Sequence, residues 1–175
     1  MARQHEITVS SPPDERAEGR ERISVEGIVA GLLGAATVAG WFLILDTVGG
    51  RPLLTPTILG TALFRGGEGL GAAAGPPVSL EMVALYTWVH GLVFCVVGGV
   101  ASRLLALAER RPNAGFGILI LFVVLEFGFV AAAMLFAAPV LRALSWPAIV
   151  LGNLLAAFVM GVYFWRRHPG LRIQP

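Results

Sequence analysis

The stretch GFGILILFVVLEFGFVAAAMLFAA, residues 115–138, decides how the chain is read. A bilayer's hydrocarbon core is crossed by a helix of about 20 apolar residues. This run is long enough, and Glu126 interrupts it near its middle. Hydrocarbon does not solvate a carboxylate, so Glu126 must be neutralised, paired or open to a cavity.

Runs of similar length lie on either side of it, giving expected spans over about residues 25–45, 80–102, 115–138 and 147–165. The composition agrees: 56% of residues are hydrophobic and 14% charged, and the mean hydropathy is +0.76. A soluble domain has about 25% charged residues. The expected fold is therefore all-α, a four-span transmembrane helix bundle occupying residues 23–168. All 13 basic residues are arginine, which reads as the codon bias of a GC-rich genome. The sequence pI near 9.3 gives no sign of nucleic-acid binding, because the arginines sit at helix ends and in the N-terminal segment. Cys95 is the single cysteine and falls inside the second span, so it forms no internal disulfide and no metal site.

Local signals set the boundaries. Residues 1–22 are polar and lack the apolar core of a signal peptide, so they read as a disordered cytoplasmic tail. Ser24 caps the first span, Glu26 suits its positive end, and it stops at Asp46 before Gly49 and Gly50. Ser79 caps the second after Pro76 and Pro77; that helix continues through Leu107 and ends by Pro112. The third starts after Asn113 and ends before Pro139. The fourth opens at Ser145, Trp146 and Pro147 and closes at Arg166 and Arg167.

Arginine placement predicts orientation. Arg3, Arg16, Arg20, Arg22, Arg103, Arg110, Arg111, Arg166, Arg167 and Arg172 fall on one side, against Arg51, Arg65 and Arg142 on the other. Both termini are thus expected in the cytoplasm, and the chain in a bacterial inner membrane. The one long connection, residues 47–78, begins with Thr55 and Pro56 as cap and first-turn proline. They open a short apolar helix, too short to span, that is expected at the outer interface or tucked into the bundle, and a glycine-rich link follows.

Counting residues gives depth. His90 lies about 15 Å and Glu126 about 16 Å below the same surface, and Asn153 about 9 Å below it. Thr87 is one turn above His90. These residues form an expected intramembrane polar site, read either as a hydrogen-bonded knot holding the bundle or as a proton relay. At the outer rim, Asp46 reads as a solvated loop carboxylate, with Arg51 near enough to pair. Haem would need a second axial ligand, since only His90 of the histidines is intramembrane; no cofactor or metal is expected.

Small residues recur every four positions. Gly27, Gly31, Ala35 and Ala39 do so on the first helix, Thr87, Gly91, Cys95 and Gly99 on the second, and Asn153, Ala157 and Gly161 on the fourth. Such faces let helices approach closely in lipid. No P-loop, HExxH, GxSxG or dinucleotide fingerprint occurs. The leading expectation is a non-catalytic accessory or scaffold subunit whose partners are the lipid bilayer and another membrane protein or a second copy. A small proton-coupled transporter using Glu126 and His90 is the alternative, and a haem-bearing electron carrier a second one.

Overall fold

The structure, a computed structural model, describes residues 13–70, 76–110 and 145–168. They form four helices and no strands: α1 Pro13–Val48, α2 Leu54–Phe64, α3 Leu80–Arg110 and α4 Trp146–Arg167. Within α1, α3 and α4, the segments Glu21–Val48, Leu80–Glu109 and Trp146–Arg167 are long and apolar enough to cross a membrane. The expected third span, residues 115–138, lies outside the described residues.

α1 starts earlier than its apolar run. Residues 13–22 were expected in a disordered tail, yet they continue the helix, and Ser24 lies inside it without capping it. The physical reason is local. Proline is tolerated in a first turn, and the glutamates and arginines that follow are good helix formers. The other end closes with a specific motif. Gly50 takes φ 72; its N–H donates to the Thr47 carbonyl at 3.0 Å and that of Arg51 to the Asp46 carbonyl at 2.9 Å. That pair of bonds is a Schellman cap, which needs a left-handed residue where glycine stands.

The other starts follow their expected signals in part. Ser79 accepts a bond from the Met82 N–H at 3.4 Å, as an N-cap should. Ser145 precedes α4, with proline in the first turn, but its side chain makes no capping bond. α2 begins one residue before Thr55, after Leu53 in the left-handed region at φ 67.

α1 is the central element. α3 runs antiparallel to it, with Gly27 against Gly99 and Gly31 against Cys95. α4 is also antiparallel to it: Met160 covers Gly34, and Trp41 reaches the Ala148 carbonyl at 2.9 Å. α2 lies across the start of α3, where a Cβ on Gly60 would come within 2.5 Å of the Met82 carbonyl oxygen. Ile58 and Met82 are buried in that contact region. Ala30, Met160 and Phe164 form the core between the long helices, with Phe94 and Leu105 packed on it.

Candidate functional site

The α1–α3 crossing is set by glycine. A Cβ on Gly31 would overlap the Phe94 carbonyl and sit 2.8 Å from Cys95 Cα. A Cβ on Gly27 would sit 2.5 Å from Gly99 Cα. Gly98 is equally close, facing the Gly27 carbonyl and the Gly31 backbone. This approach places the backbone of α1 beside the side chains of α3, and His90 uses it. Its Nε2 lies 3.3 Å from the Ala35 carbonyl oxygen. A carbonyl only accepts, so Nε2 carries the proton. Nδ1 is then the acceptor in the neutral ring, and the Tyr86 hydroxyl lies 3.5 Å from it. The imidazole stacks on Tyr86 with centroids 5.5 Å apart and tilts on Phe94 at 4.7 Å.

His90, Tyr86 and Thr87 also edge a cavity of about 200 Å³ between α1, α2 and α3. Its remaining walls are mainly apolar, among them Val38, Phe42, Leu59 and Val83. Glu126, the expected partner of His90, lies outside the described residues. Asn153 is half-buried on α4, and no hydrogen bond joins it to His90 or Thr87.

Asp46 departs from its reading as a solvated carboxylate. It is buried at 9% exposure. Its Oδ2 accepts from the Thr55 N–H and its Oδ1 from the Thr55 hydroxyl, both at 2.7 Å. Thr55 is thus not the cap of α2; Asp46 takes that part, supplying negative charge at the positive end of the short helix. The tight Schellman turn makes this possible, because it folds α2 back onto the end of α1. The Arg51 guanidinium donates to the Pro76 carbonyl at 2.7 Å, tying the turn to the strand of chain that leads into α3. Ser79 N–H and the Thr57 hydroxyl, 3.3 Å apart, make a second tie between the same segments.

The opposite end of the bundle holds a group that reading by residue type passed over. His168 closes α4, its own N–H bonded to the Phe164 carbonyl at 2.9 Å. Its Nε2 lies 2.7 Å from Glu26 Oε1 on α1, and its Nδ1 lies 2.7 Å from Glu109 Oε1 on α3. One side chain therefore joins α1, α3 and α4. Burial would lower the pKa of this ring, but the hydrogen bonds and charges of Glu109 and Glu26 outweigh it and raise the value above 6.5. The signal was present in the sequence: all three residues fall at one end of their helices, and depth counting would have grouped them.

The expected packing glycines divide. Gly27 and Gly31 lie in the α1–α3 crossing, and Gly99 abuts Gly27 through its backbone. A Cβ on Gly91, Gly99 or Gly161 would meet nothing within 4 Å among the described residues. Nor do those residues include any group of three histidine, cysteine, aspartate or glutamate side chains placed to hold a metal. Compared with family models, curated proteins and solved structures, the chain matches none of them.

Proposed function

We propose that the chain is a non-catalytic integral membrane protein that acts as an accessory or scaffold subunit, packing against other membrane helices. One observation carries this reading. The placed polar groups are bound up in holding the chain's own helices together: Asp46 to Thr55, His90 to Ala35, Ser102 to Ile23 and His168 to two glutamates. Among the described residues, no buried side-chain nitrogen or oxygen lacks a partner. Large apolar side chains are left on the outside as well; Trp88, Leu92, Val96 and Val100 recur every four residues along α3 and are exposed. In this reading the chain has four spans, with residues 115–138 as the third. Both termini face the cytoplasm of a bacterial inner membrane, and α2 lies at the outer interface. Reporter fusions after Arg22, Arg111 and Pro175 should report cytoplasm, and one within residues 66–75 the opposite side. Extraction in mild detergent followed by native mass measurement tests the role. A stoichiometric complex with another membrane protein, or a defined homo-oligomer, is expected. A bare monomer throughout a series of mild detergents would sink it.

A second reading has one observation in its favour. The cavity that reaches His90 suits a small proton-coupled transporter using His90 and Glu126. Purified chain in liposomes with an internal pH dye would then carry protons, and Glu126→Gln and His90→Gln would each abolish the flux. Equal leak in all three preparations removes this reading.

A further inference from the structure

We infer that the end of the bundle where α1 begins and α3 and α4 finish is closed by a proton-held clamp. His168, carrying both ring protons, ties Glu26 to Glu109, and the clamp opens when the ring gives up a proton.

The geometry requires two donors. Each ring nitrogen lies 2.7 Å from a carboxylate oxygen, and the two carboxylates come from different helices. A neutral imidazole has one N–H. It can satisfy one glutamate, and its other nitrogen then points a lone pair at the second carboxylate. Only the imidazolium donates to both. The site favours that cation in two further ways. His168 sits at the C-terminal end of α4, where the helix dipole attracts positive charge. The His168 and Glu26 side chains are 14% and 16% exposed, so water screens that pair little, whereas Glu109, at 39%, is more open to solvent.

The other charged groups nearby do not replace it. From α1 the ring faces Glu26, and from α3 it faces Glu109. On α4 itself, Arg166 and Arg167 fill the last turn. The Arg167 guanidinium lies over the Tyr163 ring, 5.6 Å from its centroid. The ion pairs described for Glu26 and Glu109 are both to His168. Loss of a ring proton therefore removes the described cation between the two carboxylates.

The direction with pH follows. A histidine whose folded pKa is raised contributes stability that is complete below about pH 6.5, its unfolded value. That contribution disappears as pH rises through the raised value. The bundle should therefore loosen at this end on the alkaline side, the reverse of the usual acid-triggered opening.

The test uses the full chain, labelled with ¹⁵N-histidine, in detergent micelles. Ring nitrogen shifts are followed against pH, and the His168 signals are assigned by their loss in His168→Gln. The His168 ring should titrate above an ordinary imidazole, and Glu26→Gln and Glu109→Gln should each lower its midpoint. The melting temperature of the unsubstituted chain should fall across the same pH window, and that of His168→Gln should not. A midpoint at or below the ordinary value overturns the clamp, as do parallel melting curves for the two proteins. If His168→Gln does not fold, the His168 signals are assigned by elimination with His5→Gln and His90→Gln, and Glu109→Gln decides: an unmoved midpoint overturns the inference, and a lowered one supports it.

Discussion

Gly31 and Gly34 lie one turn apart on α1 but meet different kinds of neighbour. At Gly31 the neighbour is the backbone of α3, the Phe94 carbonyl and Cys95 Cα. At Gly34 it is the end of a side chain, Met160 Sδ from α4, with the Phe94 ring beside it. The same helix thus packs one partner main chain to main chain and the other through side chains. In lipid this matters, because helix association there depends on close van der Waals packing and interhelical hydrogen bonds. A backbone cannot move aside without shifting its whole helix, whereas a methionine can take another rotamer. The α1–α3 contact should therefore be brittle and the α1–α4 contact forgiving.

The largest effect tests the brittle side. Gly31→Ala already forces a Cβ into the Phe94 carbonyl, and Gly98→Ala does the same from the other helix. Each should cost about 1–3 kcal/mol, and Gly31→Leu more, since overpacking rises with every added methylene. The readout is the melting temperature in mild detergent. Because His90 reaches Ala35 only across this crossing, spreading the helices should also break that bond. Gly31→Ala with unchanged stability would mean that the helices lie further apart.

Next comes the side-chain contact. A Cβ on Gly152 would lie 2.9 Å from Trp41 Cδ1, so the indole would have to tilt. Tilting would strain its bond to the Ala148 carbonyl. Trp41→Phe removes that bond without adding bulk and should cost about 0.5–1.5 kcal/mol, a typical net hydrogen bond. Gly34→Ala should cost less than Gly31→Ala, because Met160 can yield. A reversed order for Gly31 and Gly34 would overturn the contrast between the two neighbours.

How far this was legible depends on the kind of information. Span length and apolar content are one-dimensional, so α1, α3 and α4 could be read from the sequence. Helix starts were less secure, because charged residues 13–22 favour helix and disorder almost equally. Small residues every four positions drew attention to Gly27 and Gly31, which do meet α3. The same periodicity chose Gly91 and Gly99 on the partner. The residue whose Cβ position is filled by α1 is Gly98, roughly 100° around the helix from Gly99. A soluble helix reveals its rotation by a polar face; a membrane helix, apolar all round, does not. The polar site suffered from a different blindness. The described partner of His90 is a backbone carbonyl, and every residue has one. The burial of Asp46 is not legible along the chain, because it depends on Gly50 turning the chain back, a tertiary effect of one left-handed residue.

The smallest expected effect comes from Gly91. It belongs to the same periodic stripe as Cys95, which packs against Gly31, yet a Cβ there would meet nothing within 4 Å among the described residues. Rotation does not account for this, because Gly91 is seven residues from Gly98 and so only about 20° around the helix from it; the face is the same, and the space beside it is open. With space available, Gly91→Leu adds apolar surface and improves helix propensity by up to about 1 kcal/mol. Melting should be unchanged or slightly raised, in contrast to the loss at Gly31. A loss as large as that of Gly31→Leu would show that a close neighbour lies against this face. Repeating the measurement on the monomer and on any purified complex would then separate the two sources. A loss in both forms places the neighbour within the chain, and a loss confined to the complex places it on a partner subunit.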